Sequence, residues 1–238
     1  MVIGASGTLS DQPGRAFLFL GQGNRPSPLK RELAAASGVV VEIYTGRSDN
    51  DLFGQFVAPA GDVNGDGFDD VLIGAPTGLT GTPPGVVLVL GSDHLPSELD
   101  LSSDRTRNGV LLTSFLAGEG ALGLVGSGVG DINDDGFDDI AIGIPDGLSA
   151  SNNPANPRPG KIVVVFGQKN PRSVGNTVDV ATLSATASLT LHGPVPGSSF
   201  GAAICAVGDI DVDQLDDYVV GAPNAGSGGS VLIGRAHV

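Results

Sequence analysis

Short, branched apolar runs recur along this chain, and most are closed by glycine, proline or aspartate. Val86 to Leu90 runs into Gly91, Ile162 to Phe166 into Gly167, and Val231 to Ile233 into Gly234. Runs of this length, rich in Val and Ile and bounded by turn residues, predict β-strands. Several are apolar almost continuously, as in a sheet covered on both faces. One segment alone reads as helical: SPLKRELAAAS at 27–37, with Ser27 as N-cap and Pro28 in the first turn. It falls in a connection between strands and is expected to be a loop decoration.

The runs belong to a repeat. GDVNGDGFDDVLIGAP (61–76), GDINDDGFDDIAIGIP (130–145) and GDIDVDQLDDYVVGAP (208–223) align without gaps. Their first aspartates, Asp62, Asp131 and Asp209, are spaced 69 and 78 residues apart. Eight residues before each stands the glycine of an apolar–Gly pair: Phe53-Gly54, Leu122-Gly123 and Phe200-Gly201. After each block come a polar turn, an apolar run ending in glycine, and a further strand: VVVEIYTG (39–46), GVLLTSFLAG (109–118) or SLTLHGP (188–194). One repeat therefore predicts four short strands. Four strands in about 70 residues suit a propeller blade. The fold class expected is all-β, a β-propeller region over 1–238 with repeats near 1–46, 47–118, 119–193 and 194–238. VIGAS (2–6) and AFLFLG (16–21) match the second and third strands of a blade, and the last repeat lacks its fourth. Three, four, four and three strands do not close a ring of whole blades, so the expectation is about three and a half blades of a longer propeller.

The chemistry sits between the first two strands of each repeat. Counting from the first aspartate, positions 1, 3, 5 and 9 hold Asp62, Asn64, Asp66 and Asp70, then Asp131, Asn133, Asp135 and Asp139, then Asp209, Asp211, Asp213 and Asp217. Position 7 offers the backbone carbonyls of Phe68, Phe137 and Leu215. Calcium takes six to eight hard oxygen ligands, mixing carboxylates with amide and backbone carbonyls. Alternate positions of a tight loop point such oxygens inward, and Gly67 and Gly136 permit the sharp turn at position 6. Gln214 stands there in the third loop and is expected to carry strain. An EF-hand would need an acid at position 12 and helices on both sides. Ile73, Ile142 and Val220 occupy position 12 and the flanks are strand-like, so the EF-hand is rejected.

The Phe-Gly … Gly-Ala-Pro frame with an interposed D-x-[DN]-x-D-G-x-x-D loop resembles the FG-GAP repeat of integrin α-subunit propellers and of secreted bacterial proteins. The resemblance implies a seven-bladed propeller, about three calcium sites, and an extracellular or cell-surface module for adhesion or protein/glycan binding. Leu122 for Phe, Ile144 for Ala and Gln214 for Gly depart from the pattern, as does the Gly4-Ala5-Ser6 copy without its proline. Two rival readings stay open: an accessory propeller of a secreted, phospholipase-like hydrolase, and a purely structural scaffold.

Composition sharpens this picture. The net charge is −14, and 14 of the 26 acids lie in the three nine-residue loops, so the acidity is largely a metal-site signature. It argues against nucleic acid and anionic membrane surfaces as partners. No apolar run is long enough to span a membrane, and MVIGASGTLS shows neither the basic nor the apolar region of a signal peptide. Three histidines and one cysteine make zinc, copper or iron poor fits. Cys205, within the apolar stretch from Ala202 to Val207, reads as a buried, inert thiol. GEGALG (118–123) matches G-x-G-x-x-G, but a strand and an acidic loop follow it rather than a helix, so it reads as a turn. His94, His192 and His237 lie in unrelated contexts and read as surface or turn residues. With no H-E-x-x-H and no visible pairing of a nucleophile with a base, the chain reads as non-enzymatic. A fused catalytic domain stays open.

Overall fold

The structure, a computed structural model, describes residues 2–5, 14–20, 40–44, 52–76, 85–101, 112–116, 124–146, 158–171, 177–226 and 230–234. The expected helix at 27–37, the GEGALG turn, the Leu122-Gly123 pair and His237 lie outside these residues. In chain order the strands are β1 (Val2–Ala5), β2 (Arg15–Phe19), β3 (Val40–Tyr44), β4 (Val57–Gly61), β5 (Asp70–Ala75) and β6 (Gly85–Val89). Then come β7 (Glu98–Asp100), β8 (Leu112–Leu116), β9 (Val125–Gly130), β10 (Asp139–Ile144) and β11 (Lys161–Val165). The last are β12 (Thr177–Asp179), β13 (Ser188–His192), β14 (Ala203–Gly208), β15 (Asp217–Ala222) and β16 (Ser230–Gly234).

These strands form four sheets, as a partial β-propeller requires. Their orders are β1-β2-β3-β7, β4-β5-β6-β8-β12, β9-β10-β11-β13 and β14-β15-β16. Within each blade consecutive strands pair antiparallel, Ile73 opposite Val87 and Ile142 opposite Val163. Two short strands were not legible in the sequence. β7 pairs parallel with β3, setting Leu99 beside Ile43, and β12 pairs parallel with β8, setting Val178 beside Phe115. Each is a strap from one blade onto the outer strand of the blade before it. An open sheet edge is a template for unwanted pairing, and the straps cover it.

Strand alternation assigns each side chain to one of three cores, each lying between two neighbouring blades. Ile73, Val87 and Val89 face back to Ala16, Val41 and Ile43, joined by Leu99 from the strap. Leu72, Val86 and Leu88 face forward to Ile140, Ile142 and Val163, joined by Val178 and Val180. Ala141, Ile162 and Val164 meet Phe200, Tyr218 and Val220 in the third core. This two-sided burial explains why β5, β6, β10 and β11 are apolar almost throughout.

The FG and GAP glycines meet across the blade boundary. A Cβ on Gly143 would lie 2.1 Å from the Gly201 carbonyl oxygen, and one on Gly4 would lie 2.0 Å from that of Gly54. Both described FG glycines also donate their N–H within their own blades, Gly54 to Gly74 at 2.9 Å and Gly201 to Gly221 at 3.0 Å. Phe53 and Phe200 beside them are buried.

One expectation is corrected. Cys205 is exposed, not buried. It sits on β14, an edge strand of its sheet, whose alternation turns Ile204 toward the third core and Cys205 away from it. Nothing among the described residues covers that second face, so an apolar run was mistaken for a strand buried on both sides. His94 and His192 are exposed, as expected.

Candidate metal loops

Three hairpin connections, β4 to β5, β9 to β10 and β14 to β15, hold the predicted ligands. Strands flank every one of them, which settles the EF-hand question on geometry. The loops fold around their own side-chain oxygens. Asp62 accepts from the Asp66 amide at 3.0 Å through Oδ1 and from the Gly67 amide at 2.8 Å through Oδ2. Asn64 Oδ1 accepts from the Asp66 amide, Asn64 Nδ2 donates to Asp66 Oδ2, and Asp66 Oδ1 accepts from the Phe68 amide. Asp131, Asn133 and Asp135 repeat every one of these bonds in the second loop. Asp209 and Asp213 repeat three of them in the third. A carboxylate has about four lone-pair sites, so these bonds orient the oxygens without exhausting them.

This winding needs left-handed backbone at two places. Position 6 has φ of 90° at Gly67, 87° at Gly136 and 77° at Gln214. Position 4, which the sequence reading passed over, has φ of 68° at Gly65, 58° at Asp134 and 63° at Val212. Gly and Asp tolerate this conformation, whereas a β-branched valine there is a real outlier. A signal existed in Gly65 and Asp134, and the valine obscured it.

Position 9 is a different kind of residue from the rest. Asp70, Asp139 and Asp217 are 1%, 0% and 2% exposed. Asp70 accepts from the Val63 amide at 3.0 Å and from the Gly91 amide at 2.7 Å, tying the loop to the end of β6. Asp139 does the same with Ile132 at 3.1 Å and Gly167 at 2.8 Å, and Asp217 accepts from Ile210 at 3.0 Å. Burial pushes the Asp70 and Asp139 carboxyls up to about 7, with the nearby loop aspartates adding to the rise and the two amide bonds opposing it. A carboxylate held this far from water, beside others of its own charge, is one a cation would stabilise.

Side-chain oxygens of Asp209, Asp211 and Asp217 lie within 4.8 Å of one another. Oxygens no farther apart than that can all reach one calcium ion at about 2.4 Å. The donor set is oxygen only, so the residues present fit a hard divalent cation. Among the described residues no other three acids gather so closely. The first two loops carry Asn64 and Asn133 where the third has Asp211. The residues whose position 7 carbonyls were singled out, Phe68, Phe137 and Leu215, are each held by an amide bond to the position 5 aspartate.

Blades of antiparallel strands, with FG and GAP glycines meeting at two of the boundaries and an aspartate loop joining the first two strands, define a propeller-type repeat protein. Residues 53–90 match the FG-GAP repeat family. The chain is 31% identical to integrin alpha pat-2 of Caenorhabditis elegans over 189 residues, covering 75% of this chain and 13% of that protein. It is 31% identical to human integrin alpha-8 over 194 residues, 78% of this chain and 16% of the relative. Mouse integrin alpha-IIb is 32% identical over 183 residues, 73% and 15% respectively. Residues 53–90 carry an FG-GAP repeat, the chain is similar to integrin α-subunits, and it spans 13% to 16% of the length of these curated relatives.

Proposed function

We propose that this chain is a calcium-stabilised, non-catalytic binding module of an extracellular or cell-surface protein, presenting a propeller surface to a protein or glycan ligand. The observation that carries the calcium reading is the convergence of Asp209, Asp211 and Asp217. Its support in the other loops is the repeated bonding pattern around Asp62 and Asp131. Asp62, Asn64, Asp66 and Asp70 would hold one ion with the Phe68 carbonyl. Asp131, Asn133, Asp135, Asp139 and the Phe137 carbonyl would hold a second. Asp209, Asp211, Asp213, Asp217 and the Leu215 carbonyl would hold a third. Bound calcium neutralises carboxylates that otherwise repel, so it orders loops rather than performing a reaction. Similarity to integrin α-subunits supports the adhesion-type role and the extracellular setting. Among the described residues, no helix is long and apolar enough to cross a membrane.

The test is thermal unfolding in millimolar calcium and again in chelator, beside calorimetric titration of the metal. A site filled at 100 times its dissociation constant adds about 2.7 kcal/mol, so the midpoint should rise by several degrees. Asp62→Ala or Asp131→Ala should each remove one equivalent of calcium. A midpoint that ignores the chelator, or a titration without heat, would overturn the reading.

A further inference from the structure

Each loop carries two adjacent aspartates before its second strand, and only the second belongs to the ligand pattern. The first of the pair, at position 8, is Asp69, Asp138 or Asp216. In the second and third loops it points out of its own blade. Asp138 Oδ2 accepts from the Asp62 amide at 2.7 Å, and the Asp138 amide donates back to the Asp62 carbonyl at 3.2 Å. Asp62 is the first ligand of the preceding loop. One blade further on, Asp216 hydrogen-bonds the Asp131 backbone, again the first ligand of the loop before it. The approach is close in both cases. A Cβ on Gly61 would lie 2.2 Å from Asp138 Oδ2, and one on Gly130 would lie 1.9 Å from Asp216 Oδ2. The contact extends beyond the carboxylate. The Phe137 ring lies against Gly65, where a Cβ would meet it at 2.8 Å, and the Gln168 amide donates to the Val63 carbonyl at 2.9 Å.

We infer that Asp138 and Asp216 are positioning residues for the metal loop of the preceding blade: each fixes the backbone of that loop's first ligand, so that neighbouring sites form a directional chain. The inference rests on the calcium reading of the loops and extends it from single sites to their coupling. Asp62 can present both carboxylate oxygens to the loop interior only if its main chain is held. The amide on the outward side of that main chain is satisfied by Asp138 and by nothing in its own blade that the structure records. Asp69 supplies the internal control. It occupies the same position and is exposed, and among the described residues it meets no loop amide of another blade.

The experiment is an amide-detected magnetic resonance titration of the full chain with calcium alone. The Gly67, Gly136 and Gln214 amides, each bonded to a first-position aspartate, report the three loops separately. Removing an outer group that orients a ligand typically costs ten- to a hundredfold in metal affinity. Asp138→Ala should therefore weaken the Gly67 response about tenfold and leave Gly136 unmoved, although Asp138 lies in the second loop. Asp216→Ala should weaken Gly136 and spare Gln214. Asp138→Asn keeps an acceptor oxygen and should recover most of the loss, and Asp69→Asn should change none of the three. A weakened Gly136 with an intact Gly67 in Asp138→Ala would overturn the inference. So would equal loss at both. If the unmodified chain shows no calcium response, the metal reading fails instead. The clasp is then judged by hydrogen exchange in chelator, where Asp138→Ala should expose the Asp62 amide and an unchanged rate would refute it.

Discussion

At the scale of single residues, aspartates of one loop do different physical work. Asp139 satisfies one buried and one half-buried amide, whereas Asp131 organises an exposed turn that water can also solvate. Asp139→Ala should therefore lower stability by about 1–3 kcal/mol even in chelator, the cost of leaving buried donors unpaired. Asp131→Ala should lose chiefly the increment due to calcium. Paired melting curves with and without metal separate the two. Proton linkage follows from the same burial. With the folded Asp70 and Asp139 carboxyls near 7 and the unfolded value near 3.8, the metal-free fold binds more protons than the unfolded chain between those values. Its stability is thus greatest below that window and falls as pH rises through about 7. Calcium needs the ionised form, so the gap between melting points in calcium and in chelator should widen from about pH 5 to about pH 8. A gap constant over that range would refute the linkage. In the third loop Val212 and Gln214 both hold left-handed φ, at about 1 kcal/mol or more each. Val212→Gly and Gln214→Gly should each raise calcium affinity there, read at the position 6 amide of that loop.

Among the elements, the strands of the repeat were legible because hydrophobic period and turn residues agree. β5, β6, β10 and β11 are apolar on two faces and bounded by Gly, Pro or Asp, which leaves little alternative. The spacing of the proposed ligands was equally visible, since oxygen-bearing side chains at alternate positions state their geometry in one dimension. The straps were not. β7 and β12 are three residues long, ELD and TVD, and their pairing partners lie in another repeat. No local period marks a segment so short. Position 8 escaped notice for a related reason, because its partner sits in the neighbouring loop and the doubled aspartate looked like one acidic signal. Cys205 misled in the opposite direction: its apolar neighbours describe a strand, not how many faces of it are covered. The straps can be tested directly. Val178 is buried where β12 closes the core between the second and third blades, and Val178→Asp places an unpaired charge there. Hydrogen exchange should then speed up at the β8 amides, 112–116, before it does at β5. Equal protection of β8 in the variant would show that β12 is not its cover.

For the whole molecule, stability resides between blades rather than within them. Among the described residues every core joins two sheets, and FG–GAP contacts lock the first and third of these boundaries at backbone distance. Gly143→Ala tests this. The residue has no unusual φ, so the main penalty is the new methyl against the Gly201 carbonyl, with the Val125 side chain close behind at 3.3 Å. Main chain cannot yield as a flexible side chain would, and a loss of about 1–3 kcal/mol in denaturant unfolding is expected. An unaltered midpoint would mean that the two sheets can slide apart at that seam. The straps have a further consequence for synthesis. Chain leaves the ribosome from its N-terminus, yet the edge of β3 is completed only by residues 98–100 and the edge of β8 only by residues 177–179. A nascent blade therefore waits, with hydrogen-bonding groups unpaired, until the middle of its successor has emerged. During that interval it is open to mispairing and to chaperones. The pace of translation through residues 98–100 and 177–179 sets how long the edges of β3 and β8 stay exposed.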